Sequence, residues 1–469
     1  MQNSKLKIGI VPERRWLADQ KTRKGIFQPS YAVDNKNHVL EYIKKNFADE
    51  TVEFTDLEWL NDEGLLFEND DVDKVVDYLK REKVDAIFLI NCNFGNEDAA
   101  GRVAREMGLP VLLWGPRDNL FTPEGNRFTD CQCGLFAISK HLQRSHIPFS
   151  YIENCNVEDK PFAEGFDKFL SVVSMLKTFK GMRIVQVGCR VKPFKSVMFN
   201  EMEIMEKFGI DVTPINMAEA VAKLNKIYND PARRPELEAL AADTKKKMDC
   251  SSVDDELLVK MMTFVPFYKE LKEENHADII STECWTSMPL GFGANPCLAM
   301  SILGDMDCLV TCESDIYGAI TLALLYAMKR KKTVPAFGEF TCRNPQNDNS
   351  ELLWHCGPFA YSLKKPESKA YIFNTKPSFR LADGDWTIAR FQGQGGKFTF
   401  LAGDFKTTDG PHTFGTHMWA DFGNLPKVER KVIEGPYIHH MAEIQGKYAD
   451  TIKEFCKFVP ELEFDDLYN

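Results

Sequence analysis

The 469-residue chain lacks any apolar run near the roughly 18 residues that cross a bilayer as a helix, so no transmembrane helix is expected. It also lacks a basic excess. Its 58 lysines and arginines face 69 aspartates and glutamates, and the formal net charge of −11 argues against nucleic-acid or anionic-membrane partners. Neither a G-x-G-x-x-G fingerprint nor a P-loop occurs, so nucleotide use has no motif behind it. The start, MQNSKLKIGIVPE, enters a strand-like run without a secretory hydrophobic region, and a cytoplasmic location is expected. Internal repeats and low-complexity stretches are missing too. The thirteen cysteines are odd in number and scattered, several inside apolar runs (Cys92, Cys189, Cys308), which suits reduced core thiols and not a disulfide framework. Only Cys131 and Cys133 are closely spaced, and no second pair completes a zinc site.

What remains is a globular composition, 44% hydrophobic and 27% charged, at a length that calls for two or three domains. KIGIVP (7–12), VEFTDL (52–57), VDAIFLIN (84–91) and LPVLLWG (109–115) read as strands, with helical patterns at 37–47, 72–82 and 95–108 between them. Such alternation implies a parallel sheet with right-handed crossovers, and this α/β domain is placed at 1–175. A second α/β domain, 176–345, opens at MRIVQVG (182–188) and has helical stretches near 197–208, 216–228 and 233–248. The charged segment 229–249 shows no apolar stripe and reads as a solvated helix. ADIISTECW (277–285), DCLVTCESD and TVPAFGEF supply further strands, the last two joined by a helix over 317–330. From 346 to 469 the pattern changes. YIFNT, WTIARF and KFTFLAGDF alternate apolar and polar residues between DGD, GQGG and TTDG turns, which predicts an antiparallel, β-barrel-like domain closed by a final helix at 439–457. The fold class is therefore α/β: two Rossmann-like α/β domains followed by a C-terminal antiparallel β-barrel-like domain.

Glu313 and Glu339 each follow a short apolar run rich in Val, Leu, Cys and Phe. A carboxylate leaving the end of a buried strand is held rigidly where open α/β sheets place their ligand chemistry. If the two strands are neighbours in a parallel sheet, the acids emerge together, and they repel unless a cation or proton lies between them. The alternative is two ordinary surface acids at a loop mouth. Histidine is scarce, nine in all, yet five lie beyond residue 350: His355, His412, His417, His439 and His440. The pair His439–His440 opens the expected last helix. Two acids with an imidazole form an oxygen/nitrogen set suited to Mn²⁺ or another divalent cation, and the acids could also move protons. His355 ends an apolar run and is a further ligand or a substrate contact, whereas His412 and His417 sit in a glycine-rich loop.

Other residues carry two meanings. Asp315 either caps the following helix or hydrogen-bonds a metal ligand, capping being the simpler role. Trp285, at the end of ADIISTECW, is a candidate substrate contact. GFGANP (291–296) either presents backbone N–H groups to a ligand or makes a tight turn. Arg14, Arg15 and Arg117 follow strands of the first domain, where they meet an anionic substrate or an oligomer partner, or are solvated surface residues.

At these residues the chain resembles the L-fucose isomerase / L-arabinose isomerase superfamily, its L-fucose isomerase-like group most of all. The likeness runs through LINCNFGNEDAAGRVAREMGLPVLLWGP, IVQVGCRVKPFKSVMFNEMEIMEKFGIDV, CESDIYGAITLALL, FGEF, HCGPFAYSL and the histidine pair. The resemblance implies that Glu313 binds Mn²⁺, that Glu339 is the second acid, and that His440 or His439 completes the set. It places His355 where the arabinose branch has a histidine ligand. Glu339 itself departs from the aspartate of the fucose branch. The resemblance also implies a trimer or hexamer in which the N-terminal domain of one subunit covers a neighbour's site.

The activity this implies is aldose–ketose isomerisation of an open-chain sugar through a cis-enediolate, with Mn²⁺ on the oxygens of C1 and C2. An anionic hexose, such as one bearing a C6 sulfonate, would need a cationic grip, which Arg14, Arg15 or Arg117 of a neighbouring subunit could supply. A non-catalytic sugar-binding protein is the rival from another class. It needs no acid pair, and an exported binder should carry a signal peptide. An epimerase sharing the enediolate is the enzymatic rival.

Overall fold

The computed structural model describes residues 5–19, 22 and 24–469. The chain divides into two compact units, Met1–Lys177 and Thr178–Asn469, each treated on its own below.

The first unit is built on five strands, β1 (Leu6–Glu13), β2 (Val52–Thr55), β3 (Ala86–Asn91), β4 (Val111–Trp114) and β5 (Phe149–Tyr151). All pairings are parallel and the order is β2-β1-β3-β4-β5. The continuous apolar runs AIFLIN and VLLW follow from burial on both faces. Phe88 and Ile90 of β3 pack with Val39, Ile43 and Phe166 on one face, while Ile87 and Leu89 meet Val75, Leu79 and Val103 on the other. The helix Val72–Glu82 stands where its apolar spacing predicts it. Asn96 caps the helix Glu97–Met107 by accepting from the Ala99 N–H, and Gly108 ends it in the left-handed region.

The second unit begins with a four-stranded parallel sheet of β6 (Arg183–Val187), β7 (Asp211–Ile215), β8 (Ile279–Thr282) and β9 (Val310–Cys312), in the order β7-β6-β8-β9. The chain then enters nine further strands: β10 (Ala336–Asn344), β11 (Asn347–His355), β12 (Tyr371–Phe373), β13 (Lys376–Arg380), β14 (Asp385–Gln394), β15 (Lys397–Thr408), β16 (Thr416–Asp421), β17 (His440–Gln445) and β18 (Leu462–Asp466). Six of them close as β16-β11-β10-β17-β14-β15 and back to β16, every pairing antiparallel. Leu353, Trp386, Ile388, Leu401, Met418 and Met441 belong to the core of this barrel. Gly395 and Gly396, at φ +58° and +79°, make the two-residue turn between β14 and β15 that the GQGG segment predicts. The fold class read from the sequence is thus the one observed.

Three local expectations are corrected. The final helix expected at 439–457 is instead strand β17, then a helix over Ala449–Cys456, then β18. HMAEIQ is buried at its first five positions, so the period-two alternation that marks a half-exposed strand is erased. β10 is not a neighbour of β9 in the parallel sheet: its partners are β11 and β17 of the barrel. The helix Arg234–Lys247 has a narrow stripe after all, Leu237, Ala241 and Thr244 being buried at helical spacing.

One helix ties the two layers of this unit together. Ile316–Met328 is buried at all thirteen positions, because it packs on β14 and β17 of the barrel and on β8 of the sheet. IYGAITLALLYAM, free of charged residues and with the Thr321 hydroxyl satisfied by the Tyr317 carbonyl and the Phe391 N–H, is what a helix without a solvent face requires.

Candidate active site

Glu313 is the first residue beyond β9, and it and Ser314 adopt left-handed backbone (φ +67° and +55°). For residues with a Cβ this is sparsely populated conformation, and it persists only where surrounding contacts impose it. Here the Ser314 N–H donates to the Thr282 carbonyl (3.0 Å), and its hydroxyl donates to the Cys189 carbonyl (3.1 Å). The turn aims the Glu313 carboxylate at Trp285, whose indole N–H donates to Oε1 at 2.8 Å. The other oxygen, Oε2, is buried without a hydrogen-bond partner.

Asp315 starts the next helix, and it both caps that helix and holds an imidazole. It accepts from the Gly318 N–H (2.9 Å), from both terminal nitrogens of Arg390 (2.5 and 3.0 Å) and from His440 Nδ1 (3.0 Å). Arg390 and Asp315 are both fully buried. Burial opposes the Asp315 charge, but Arg390 and His440 outweigh it and hold the carboxyl far below the usual range. An ionised Asp315 only accepts, so His440 carries a proton on Nδ1 and turns Nε2 away from it. That Nε2 lies 2.9 Å from Glu313 Oε2: with the proton on Nδ1 alone the two atoms face each other as acceptors without a hydrogen, and a doubly protonated ring would make them an ion pair.

Glu339 arrives from the barrel wall. In the antiparallel pairing of β10 with β17 it stands directly opposite His440, which puts both side chains on one face. Glu339 Oε2 is 3.8 Å from His440 Nε2 and 3.5 Å from His439 Nε2. His355, the last residue of β11, is buried, and its Nδ1 accepts from the Cys356 N–H (2.9 Å) while Nε2 has no partner. The ligand atoms of Glu313, His355 and His440 all lie within 4.8 Å of one another, and so do those of Glu339, His439 and His440. Phe194 and Phe337 pack their rings against these histidines.

The charges respond to one another. Burial raises the Glu313 carboxyl, but His440 and His355 bring it below its ordinary value. Glu339 is raised, burial prevailing over the same two imidazoles. His440 is raised because Asp315 and Glu313 outweigh its burial, whereas burial and the neighbouring His440 push His439 down to about 4. Burial also lowers His355, but Cys356 and the two glutamates carry it up to about 10; the Cys356 N–H aimed at Nδ1 works against a proton there.

Of the residues singled out from the sequence, the structure brings together Glu313, Glu339, His355, His439, His440, Trp285 and Asp315. Arg14, Arg15 and Arg117 belong to the first unit. Arg14 is no solvated surface residue: it is buried, paired with Glu63 and laid 3.5 Å from the centre of the Phe67 ring. Arg15 is half-buried against Phe94, and Arg117 is exposed. His417 is buried on β16 and lines a separate cavity with His412, Tyr371 and Trp419. Within GFGANP, Gly293 is the left-handed cap of a short helix, Ser287–Phe292. Sequence reasoning missed Arg390, Phe194 and Glu283, the last bonded to Thr286, Ser287 and the Cys189 N–H beside the Glu313 turn. An arginine on the buried strand segment WTIARF was the one available signal for Arg390.

Fold and site together define an α/β protein with an attached antiparallel barrel and a buried carboxylate–histidine centre. A family described as fucose/sulfoquinovose isomerase, N-terminal domain, matches residues 20–180. The chain is 22% identical over 396 residues to proteins named sulfoquinovose isomerase from Priestia aryabhattai and Priestia megaterium, covering 82% of this chain and 86% of each relative. It is 24% identical over 290 residues to a sulfoquinovose isomerase from Alkalicoccus urumqiensis, covering 61% of this chain and 62% of that one. A solved solute-binding protein from Actinobacillus succinogenes with bound D-allose has 12% identity over 70% of this chain and 93% of its own, with a TM-score of 0.15. The family match over the first unit and these relatives support a place in the fucose isomerase-like superfamily.

Proposed function

We propose that the protein is an aldose–ketose isomerase for an anionic hexose bearing a sulfonate at C6, working with Mn²⁺ or a similar divalent cation. The substrate class is supported by the name shared by the relatives. The observation that carries the metal is the set of buried, unpartnered polar atoms at one point: Glu313 Oε2, His355 Nε2 and His440 Nε2. Buried polar atoms are almost always satisfied, so such a cluster calls for a missing partner. Oxygen and nitrogen donors of this kind suit Mn²⁺.

In this proposal Glu313, Glu339 and His440 would hold the ion, with His439 or His355 as further donors. When bound, it supplies Lewis-acid stabilisation of the negative charge that develops on the sugar oxygens. The remaining chemistry belongs to the chain. One of the two glutamates removes the proton from C2 of the open-chain aldose and a glutamate returns one to C1, while the hydroxyl proton on O2 passes to O1, so that the aldehyde at C1 becomes CH₂OH and C2 becomes the ketone. Trp285 orients Glu313 and faces the sugar, and Asp315 positions His440. A sulfonate needs a cation at the far end of the substrate. We assign that role to Arg15 or Arg117 of a neighbouring copy in a trimer or hexamer, since the Arg14 guanidinium is engaged by Glu63.

The test is to strip the purified protein with a chelator, restore Mn²⁺, and screen neutral deoxy aldoses beside C6-sulfonated hexoses for ketose. Metal-dependent ketose from the sulfonated sugars is expected. Ketose from neutral sugars alone would overturn the substrate class, an aldose inverted at C2 would make the protein an epimerase, and tight binding without turnover would make it a sugar-binding protein.

A further inference from the structure

Sequence spacing does not mark a thiolate metal site: the two short cysteine pairs, Cys131/Cys133 and Cys308/Cys312, lie 175 residues apart and form no zinc pattern. The fold supplies what spacing withholds. Cys284 lies two residues beyond β8, Cys297 opens the helix Cys297–Gly304, Cys312 ends β9 and Cys356 follows β11. Four segments far apart in the chain thus deliver four thiols to one region. The sulfur of Cys297 is 3.6 Å from that of Cys356. The decisive grouping is Cys312, His355 and Cys356, whose ligand atoms all lie within 4.8 Å of one another.

We infer that Cys312, Cys356 and His355 form a second, soft-metal site, for Zn²⁺ or Cd²⁺, with Cys297 as the nearest candidate for a fourth ligand. This site is separate from the hard oxygen/nitrogen centre of the proposed function and shares only His355 with it. Thiolates and imidazole are the donors that select such ions, and carboxylates alone do not. With Zn–S bonds of ~2.3 Å, two sulfurs on a tetrahedral ion stand ~3.8 Å apart, close to the spacing of Cys297 and Cys356. Two packed thiols would show a similar contact. A further sulfur and an imidazole nitrogen, within 4.8 Å of one another and of Cys356, are what distinguish this cluster from a packed thiol pair. Charge agrees, since two thiolates neutralise a divalent ion and leave no net charge to bury.

The shared histidine has a consequence. Cys312 directly precedes Glu313, and Cys356 directly follows His355, so the soft and hard trios occupy adjoining space. An imidazole drawn to a soft ion is withdrawn from the hard centre. Zn²⁺ or Cd²⁺ would therefore act as an inhibitor that does not occupy the substrate's place.

The test uses metal-stripped, fully reduced protein and Cd²⁺ alone as probe. Titration should raise the thiolate-to-cadmium charge-transfer absorption and saturate at one equivalent. The band should be lost in C312S and in C356S but kept in E339Q, which alters the hard centre only. In the unmodified protein, Cd²⁺ should also protect the Cys356 peptide from alkylation, read by mass spectrometry, which holds even if a serine variant folds poorly. No band at one equivalent would overturn the inference. So would a band undiminished in C312S and C356S, which would assign it to the exposed thiols Cys133, Cys189 and Cys342. Failure of isomerase activity would leave the band untouched, so this inference and the proposed function fail separately.

Discussion

Asp315 and His440, 125 residues apart, meet at 3.0 Å in the interior of the second unit, and the carboxylate fixes which ring nitrogen of the histidine carries the proton. The same carboxylate is the counter-charge of Arg390, so orientation of the histidine and neutralisation of a buried arginine depend on one side chain.

Asp315→Asn is expected to destabilise the protein by ~3–5 kcal/mol, because Arg390 is left buried without its partner. The double variant D315N/R390M should recover much of that stability in chemical denaturation while isomerase activity stays low. Activity returning together with stability would make Asp315 merely structural.

Glu313→Gln and Glu339→Gln each remove a charge while preserving shape. Both should lower turnover by about 10²–10⁴-fold, the range for loss of a proton-transferring group. Circular dichroism and melting temperature should change little. A variant that keeps half its rate would remove its glutamate from the chemistry.

Trp285→Phe keeps the aromatic surface and deletes the N–H that Glu313 Oε1 accepts. Loss of a partner that orients a metal ligand typically weakens metal binding by about 10–100-fold. Calorimetric Mn²⁺ titration should show that weakening, and unchanged affinity would leave the indole a packing role only.

In the first unit, Glu13 ends β1 beside Asn91 at the end of β3, where the strand order reverses direction. Burial raises its carboxyl to about 8, with the Asn96 N–H opposing and Glu97 adding. Glu13 Oε1 and Asn91 Oδ1 are both buried without a partner, and both line the space where Gly95 has no side chain. Between the ordinary value of 4.5 and about 8 the folded state keeps a proton that the unfolded state releases, so Glu13 makes stability fall as pH rises across that window. Glu13→Gln should flatten the slope by up to about 1.4 kcal/mol per pH unit. Denaturation midpoints between those two pH values check it, and parallel curves for the two proteins would refute it.

The parts legible in the sequence were those where one environment governs a whole segment. AIFLIN and VLLW read as buried strands, and the helix at 72–82 read correctly because one of its faces is apolar and the other wet. β17 was misread because the barrel core and the helix Ile316–Met328 cover both of its sides, which removes any periodicity. Glu313 and Glu339 stood out as acids after apolar runs, yet the route by which they meet was not legible. They approach through the register of β10 against β17 and not as adjacent parallel strands. Arg390 went unnoticed because its partner lies 75 residues away. The thiols from Cys284 to Cys356 were equally silent, since only tertiary structure collects them.

The helix Ile316–Met328 has no face of its own to show to water, and the residues around the candidate centre enter from both layers it joins. Glu313 and Asp315 come from the sheet side, while Glu339, His355 and His440 come from barrel strands. With a cation held there as proposed, occupancy of that centre and cohesion of the second unit would be one coupled equilibrium. Any ligand that grips both sides must raise the melting temperature in proportion to the logarithm of its concentration over its dissociation constant. Heat alone would then report the identity of the preferred ion, with no sugar present.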